Sequence, residues 1–461
     1  MDAVKSQPGL KPADSGKTSV TSHGCPSQSD TSLVRPHLAN FRTASNLFFN
    51  EAINKMRAEG RQVYHFAFGQ SPFPVMEGAK KVLREHAGEN AYLPVQGLAE
   101  LRANICSFHA RLDGLTHLDQ DLVVVGPGSK QLIYLLMNVF NGDILLLSPT
   151  WTTYRPQAVF CNQRVFIIHT NLEQEWKLTP DLLERTILQN DVKPNRLLVL
   201  CNPDNPTGTA YNEDELVALS AMFRKHNVTV ISDEIYGRLS FDGRHHSLIK
   251  YYPEGSILTS GISKWASAGG WRLGYSIYPR RLEALFKAVC SGASNTYSCA
   301  PGPVQHASIS LFKFEDEEEQ YVHIARKILH AVASYCHREL TAVGVKAVKP
   351  TGGFYIFPDF EILRPALAKR GITTGDAMCK AILAEKSVAL MAGGPDFLRP
   401  GTEFTVRLCY VNFDGTDAME AVKLQGDEPI TDEFLGLYCR PVVEGIQALV
   451  SWVEDQLQPS N

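Results

Sequence analysis

Short apolar runs alternate with amphipathic segments along most of this 461-residue chain. The runs are rich in leucine and β-branched residues, which is typical of buried strands, and the segments between them carry apolar residues at helical spacing. Because strands alternate with helices across residues 120–280, we expect right-handed crossovers and a mainly parallel sheet. The predicted strands lie at 63–68, 122–126, 143–148, 164–170, 197–200, 228–232, 257–258 and 274–278, with an antiparallel last strand.

The two ends of the chain differ from its middle. Residues 1–38 are rich in Ser, Thr, Gly and Pro and nearly free of large apolar groups, which predicts a disordered extension. The segment 412–440 has no assigned role. His245 follows an Asp-Gly pair and is expected in a surface turn. Helices are predicted at 47–59, at 129–141, at 213–226 with a capping box of Asn212 and Glu215, from near Tyr321, and at 442–456.

Composition excludes several classes of protein. An apolar content of 44% and a charged content of 20% fit an ordinary globular protein, and a net charge of −4 provides no basic field for nucleic acid. The sequence contains no uninterrupted apolar window of about 18 residues, so we expect no membrane span. The ten cysteines include no Cys-x-x-Cys pair, and there is no signal-peptide pattern. We therefore expect reduced thiols, no metal site and a cytoplasmic location, with organelle targeting by the extension left open.

Polar side chains follow three of the predicted strands. Asn205, Asp233 and Lys264 each come soon after a different apolar run, and Tyr236 lies three residues beyond Asp233. Because ligands bind at the carboxyl edge of an open parallel sheet, we expect these groups to converge on one ligand. Arg272, eight residues after Lys264, brings a guanidinium group to the same edge.

These residue types fit the cofactor pyridoxal 5'-phosphate. Lys264 can form a Schiff base with an aldehyde, and Arg272 can hold a phosphate dianion with two parallel hydrogen bonds. Asp233 can pair with a protonated pyridine nitrogen, and Asn205 and Tyr236 can hydrogen-bond the ring hydroxyl oxygen. Once substrate displaces it, Lys264 can move a proton as a general base.

Together these motifs resemble the fold-type I, class I and II aminotransferases of the aspartate aminotransferase superfamily. The resemblance runs from about residue 40 to the C-terminus and rests on three motifs in family order: Asn-Pro-x-Asn-Pro-Thr-Gly at 202–208, Asp-Glu-Ile-Tyr at 233–236 and Ser-Lys-x(7)-Arg at 263–272. It implies an α/β fold with a large cofactor-binding domain, whose mainly parallel seven-stranded sheet is flanked by helices, and a smaller α+β domain. The large domain is expected at 75–310, and the small domain combines 39–74 with 311–461.

Further cofactor contacts come from other segments. Gly128, Ser129 and Lys130 open a predicted helix, and a helix N-terminus after a small-residue turn is a natural phosphate site. The resemblance implies that Trp151 stacks on the pyridine ring. It also implies that Tyr92 reaches the phosphate of the neighbouring subunit, and hence a homodimer.

Substrate contacts are implied in the same way. Gly69 lies in a loop whose backbone approaches the substrate carboxylate in the family, although Gln70 and Ser71 depart from the family pattern. Arg407 lies inside an apolar run, where an unpaired guanidinium is costly to bury, and it matches the arginine that binds the substrate carboxylate. The predicted catalytic residues are Lys264, Asp233 and Tyr236; the cofactor-binding residues are these three with Gly128, Ser129, Lys130, Trp151, Asn205, Ser263, Arg272 and Tyr92; the substrate-binding residues are Gly69, Trp151, Asn205 and Arg407.

The implied function is amino transfer between an L-amino acid and a 2-oxo acid. A lyase, a decarboxylase or an aminocyclopropane-carboxylate synthase-like enzyme on the same scaffold stays open, because the motifs do not separate these reactions. Retention of Lys264, Asp233, Asn205 and Arg407 disfavours a non-catalytic regulatory descendant. The absence of Gly-x-Gly-x-x-Gly after the strands disfavours a nicotinamide oxidoreductase. The side-chain specificity is open, with Tyr154, Arg155 and Tyr297 as further pocket candidates.

Overall fold

The computed structural model describes residues 33–39 and 53–458, which fall into two separate units. Within the described residues of the first unit, Pro36–Leu38 form a 3-10 turn. The remainder of the predicted disordered extension, residues 1–32, lies outside the described residues, as do residues 47–52 of the first predicted helix. Residues 53–58 of that helix are helical (α1).

A seven-stranded sheet forms the centre of the second unit. Its strands are β2 Val123–Gly126, β3 Asp143–Ser148, β4 Val165–His169, β5 Arg196–Cys201, β6 Val228–Asp233, β7 Ser256–Gly261 and β8 Gly274–Ile277. Their order is β2-β8-β7-β6-β5-β3-β4; β8 is antiparallel to both of its neighbours, β2 and β7, and the other neighbouring pairs are parallel. The predicted α/β class and the mainly parallel seven-stranded sheet are confirmed.

Helices pack against this sheet because its strands are apolar on both faces. Ile144 and Leu146 of β3 belong to one buried cluster, and Leu145 and Leu147 belong to another, as the period of two along a strand requires. After α1, the helices of the second unit, including those that pack elsewhere, are α2 Glu77–Glu85, α3 Ala99–Asp113, α4 Ser129–Val139, α5 Tyr154–Phe160, α6 Pro180–Gln189, α7 Glu213–Lys225, α8 Glu283–Thr296, α9 Gly302–Lys313, α10 Asp316–Ala342, α11 Arg364–Lys369, α12 Gly375–Lys386, α13 Gly415–Gln425, α14 Asp432–Tyr438 and α15 Arg440–Leu457.

Two smaller sheets also form within residues 53–458. In the first, β1 (Tyr64–His65) pairs in parallel with β10 (Val388–Ala389). In the second, β12 (Val406–Cys409) lies between β11 (Met391–Ala392) and β9 (Tyr355–Ile356) and is antiparallel to both. The domain boundaries at residues 74 and 310 stay a prediction.

The helix ends follow from local capping. Asn212 accepts from the backbone of Glu215, whose carboxylate accepts in return from the backbone of Asn212, so the predicted capping box at the start of α7 is confirmed. The helix expected from near Tyr321 begins earlier, at Asp316, because Glu315 and Glu318 form a second capping box. The segment 412–440 folds into α13 and α14. Across the part of the chain that the structure describes, no helix is both long and apolar enough to cross a lipid bilayer.

The turn expected at Asp242-Gly243 is present and exposed, but the expectation that His245 lies at the surface is wrong. The His245 side chain is 2% exposed, and its Nε2 lies 2.7 Å from Oε2 of Glu234, which is equally buried. The other carboxylate oxygen of Glu234 accepts from the hydroxyls of Ser232 and Ser247 at 2.7 and 2.8 Å. This polar cluster is adjacent in sequence to Asp233, so it supports the turn that follows β6.

Candidate active site

A cavity of about 540 Å³ opens at the carboxyl ends of β5, β6 and β7. This is the edge at which the sequence predicts a ligand site, because parallel strands bring their carboxyl ends together. Eleven of the predicted residues line it: Gly69, Ser129, Lys130, Trp151, Asn205, Asp233, Tyr236, Ser263, Lys264, Arg272 and Arg407.

Asp233 is the last residue of β6 and is almost fully buried. The Tyr154 hydroxyl donates to its Oδ2 at 2.6 Å, and the Ile235 backbone N–H donates to its Oδ1 at 3.3 Å. Burial raises the pKa of Asp233 to about 6, although both hydrogen bonds favour the ionised form and lower it. Tyr154 therefore orients the carboxylate and partly offsets the cost of burying its charge.

Lys264 lies three residues beyond β7. Its Nζ donates to the Gly69 carbonyl at 3.0 Å and lies 5.6 Å from the centre of the Tyr236 ring. Burial lowers the pKa of Lys264 to about 8, while the nearby charge of Asp233 opposes that decrease. An amine with this pKa has an appreciable uncharged fraction near neutral pH, which a nucleophile or general base requires.

Gly128 and Arg272 lie against each other at the start of α4. Gly128 has φ 92° and ψ 151°, and a Cβ atom there would overlap the Arg272 guanidinium, 2.9 Å from Cζ. Arg272 donates to the carbonyls of Gly269 at 2.9 Å and Pro127 at 3.2 Å. Within 53–458 it forms no ion pair with a carboxylate. A free guanidinium group beside a helix N-terminus can bind an anion.

Lys130 supplies a further cation on the first turn of α4. Its Nζ lies 5.1 Å from the centre of the Trp151 ring. Burial lowers the pKa of Lys130, and the charge of Arg272 lowers it further. The two cations therefore lie close enough to interact, and an anion between them would relieve their repulsion.

Arg407 is 1% exposed within β12. Its Nη2 donates to the Ala67 carbonyl at 2.5 Å and contacts the Met391 sulfur at 3.0 Å. Its Nε is buried without a hydrogen-bond partner, and no carboxylate among the described residues pairs with it. Since a buried, unpaired guanidinium is costly, this position suits a carboxylate ligand.

The structure adds Tyr355 to the predicted site and places the pocket candidate Tyr154 at the cavity. The Tyr355 hydroxyl lies 3.0 Å from that of Tyr236. A Cβ atom on Gly69 would overlap the Tyr355 hydroxyl, 2.7 Å from Cζ, so this close approach requires glycine. The Gly-x-Phe-Tyr pattern containing Tyr355 is visible in the sequence, but nothing local indicates which ring reaches the cavity.

Two predicted residues are placed differently from the rest. Gly128 does not line the cavity and acts on it only through its contact with Arg272. Tyr92 is 89% exposed and lies outside the cavity of its own chain. Its contact with a neighbouring subunit stays a prediction.

Known proteins share both the sequence and the fold. The profile of the family "Aminotransferase class I and II" matches residues 61–423. An aspartate aminotransferase from Geobacillus stearothermophilus is 30% identical over 396 residues, which cover 83% of this chain and 95% of the relative. An asparagine–oxo-acid transaminase from Streptococcus mutans is 30% identical over 369 residues, which cover 77% and 88%.

A solved structure of Thermus thermophilus aspartate aminotransferase with maleate has a TM-score of 0.74 to this fold. It is 26% identical in sequence, and the match covers 84% of this chain and 98% of that one. The family profile matches most of this chain, and the alignments cover nearly the full length of the relatives. This chain therefore belongs to the class I and II aminotransferases and moves an amino group between an amino acid and a 2-oxo acid.

Proposed function

We propose that this aminotransferase holds pyridoxal 5'-phosphate (PLP) at Lys264 and acts on an L-amino acid bound through Arg407. The observation that carries the proposal is the set of groups around one cavity. It combines a lysine of lowered pKa, the buried carboxylate Asp233 and two guanidinium groups that have no carboxylate partner among the described residues. Few ligands other than PLP with an amino acid use all four groups at once.

The residues present fit the cofactor. Arg272 and the N-terminus of α4 provide a site for the phosphate, and Gly128 leaves no room there for a side chain. The Asn205 amide is 4% exposed with its Oδ1 unpaired, so it has capacity for a polar group of the ligand. Asp233, at the end of β6, is the candidate partner for the pyridine nitrogen.

The protein groups have distinct chemical tasks. Bound PLP supplies an electron sink for the electrons that remain on the substrate Cα when its proton leaves. With the cofactor bound, Asp233, held by Tyr154, would remain ionised and stabilise a proton on the ring nitrogen. Arg407 would bind the substrate carboxylate and orient the Cα–H bond, and the Lys264 amine would act as the base that moves the Cα proton.

We propose that the preferred donor is acidic. If Arg272 binds the phosphate and Arg407 the α-carboxylate, Lys130 lies close to that phosphate and also beside Trp151 in the cavity. The sequence assigns Lys130 to the phosphate, and we add that the same ammonium attracts a side-chain carboxylate. The name of one relative, aspartate aminotransferase, supports an acidic donor, while that of another, asparagine–oxo-acid transaminase, shares only the four-carbon skeleton.

We further propose a cytoplasmic homodimer. Tyr92 is 89% exposed, as expected for a side chain that completes the site of a second subunit. Every cysteine in the described part of the chain is a free thiol, which suits a reducing compartment.

The test is the visible absorption spectrum of the PLP-loaded protein before and after single L-amino acids are added without an acceptor. We expect L-aspartate to convert the cofactor to its pyridoxamine form and to release the oxo acid. Release of ammonia, carbon dioxide or a cyclised product instead would favour a lyase-type reaction. Lys264→Ala should abolish turnover, whereas Lys287→Ala, on the exposed face of α8, should not. Near-normal turnover by Lys264→Ala would overturn the proposal.

A further inference from the structure

Two histidines and a glutamate meet outside the active-site cavity. His86 caps the C-terminus of α2, Glu89 follows three residues later, and His306 lies in the first turns of α9. One ligand atom from each lies within 4.8 Å of the other two, and none of the three residues lines the cavity. The cluster is therefore separate from the site of amino transfer.

The polar atoms of this cluster are incompletely satisfied. His86 Nδ1 is buried without a hydrogen bond, and the closest carboxylate oxygen, Oε1 of Glu89, is 3.7 Å away. That distance is too long for a hydrogen bond. The rings of His86 and His306 are stacked with their centres 4.1 Å apart and their planes 2° from parallel. A buried imidazole nitrogen with no partner has capacity for a ligand.

The geometry points to a Zn²⁺ site formed by His86, Glu89 and His306, with water as the fourth ligand. Two imidazoles and one carboxylate are a ligand set that zinc prefers, and bonds of about 2.0–2.1 Å place tetrahedral ligand atoms roughly 3.4 Å apart. Binding therefore needs the ligand atoms to approach by about 1 Å and the two rings to tilt out of their stack. The side chains of His86 and Glu89 are 34% and 54% exposed, so the ion can enter from solvent and side-chain rotation can close the site.

A zinc ion here would attach the start of the segment 89–98 to α9, and the end of that segment is already bound to the same helix. Gln305, next to His306 on α9, accepts from the Leu98 backbone N–H at 2.9 Å and donates to the Ala300 carbonyl at 2.9 Å. Zinc would add a second attachment at His86 and Glu89. The segment between these two attachments carries the exposed Tyr92, so the role that follows is structural: zinc restrains the mobility of this segment.

The sequence could not reveal this site because its ligands come from distant positions. His86 and Glu89 are close along the chain, but His306 is joined to them only by the packing of α2 against α9. The expectation of no metal site rested on the scattered cysteines, and none of the three ligands is a cysteine.

The experiment is an isothermal titration calorimetry measurement in which ZnCl₂ is added to the metal-depleted holoenzyme. We expect one equivalent to bind with a Kd of about 10 µM or tighter, and a cobalt-loaded sample to show the visible band of a tetrahedral site. His306→Gln should weaken binding by at least about 100-fold, and Glu89→Gln by less. His323→Ala removes an exposed histidine of α10 and should bind zinc like the unaltered protein.

Two results would overturn the inference. One is the absence of saturable zinc binding by the unaltered protein at 100 µM or so, well above the expected Kd. The other is equal zinc affinity in His306→Gln, which would place the ion on other groups such as the free thiols. Circular dichroism of each variant separates a lost ligand from a lost fold. Zinc should also raise the Tm of the unaltered protein but not that of His306→Gln, a readout independent of aminotransferase activity.

Discussion

Replacing Gly128 with alanine tests the phosphate subsite through a single methyl group. Gly128 has φ 92° and ψ 151°, a region that residues with a side chain rarely adopt. The new Cβ would also overlap the Arg272 guanidinium, 2.9 Å from Cζ. Arg272 must therefore leave its position, together with its hydrogen bonds to the Gly269 and Pro127 carbonyls.

Both effects of Gly128→Ala can be given a size. The backbone conformation costs about 1–3 kcal/mol of the free energy of unfolding. A displaced Arg272 loses a charge-assisted interaction with phosphate worth about 1.5–3 kcal/mol. Because 1.36 kcal/mol corresponds to a factor of ten, the Kd for PLP should rise roughly 10- to 150-fold.

Fluorescence titration of the apoprotein with PLP measures this Kd, and urea unfolding measures the stability. Gly436→Ala in α14 is the matched control, since a Cβ there meets nothing within 4 Å. It should leave the Kd unchanged and, inside a helix, add about 0.5–1 kcal/mol of stability. A Gly128→Ala protein that binds PLP as tightly as the unaltered chain would refute the reasoning, because Arg272 would then not depend on Gly128.

Three further predictions concern the cavity. Arg407→Lys should raise KM for amino acid and oxo acid alike by roughly 10- to 100-fold, because an ammonium cannot match the planar fork of arginine; steady-state kinetics with both substrates measures this. Tyr154→Phe removes the 2.6 Å hydrogen bond to Asp233 and should raise the pKa of that carboxyl by about one to two units, seen as a higher midpoint in the pH dependence of PLP affinity. In the folded apoprotein the pKa of Lys264 is about 8, whereas in the unfolded chain it has its ordinary value of 10.5. Between pH 8 and pH 10.5 the unfolded chain therefore binds more protons than the folded protein, and the free energy of unfolding rises with pH. Lys264→Met should remove that rise in urea titrations at pH 8 and pH 10.

Each of these predictions has a contrary result. An unchanged KM in Arg407→Lys would mean that another group binds the carboxylate. An unshifted midpoint in Tyr154→Phe would mean that the hydrogen bond does not favour the ionised form of Asp233. A pH dependence of stability that is the same in Lys264→Met would show that the lysine is not desolvated, and that other lysines and tyrosines account for the slope.

The strands of the central sheet could be predicted because their information is local. In β3, Ile144 and Leu146 face one helical layer and Leu145 and Leu147 face the other, so a continuous apolar run indicates a strand buried on both faces. Parallel pairing then brings the residues after each strand to one edge. That reasoning was sufficient to bring Asp233 and Lys264 into one cavity.

What could not be predicted depends on partners far away in the sequence. The Asp-Gly pair before His245 predicts a turn, but the burial of the imidazole depends on a free carboxylate oxygen of Glu234. Tyr154 could be proposed for the pocket, but its hydrogen bond to Asp233 depends on how the start of α5 is positioned relative to the end of β6. The overlap that makes Gly69 necessary involves Tyr355, almost three hundred positions later. Contacts of this kind are set by the packing of elements and leave no periodic trace.

The connection between β7 and β8 bears on how this enzyme can change during evolution. Gly261 and Gly274 face each other at its base, and the Ile262 N–H donates to the Leu273 carbonyl at 3.4 Å. Residues 262–273 thus form a closed loop of fixed length that carries both Lys264 and Arg272. If Lys264 holds the aldehyde carbon of PLP and Arg272 its phosphate, as proposed above, the length of this loop sets the distance between the two binding groups. On that proposal, insertions or deletions within 262–273 would change this distance and should be absent from active descendants, whereas the 412–440 segment does not border the cavity and can change in length.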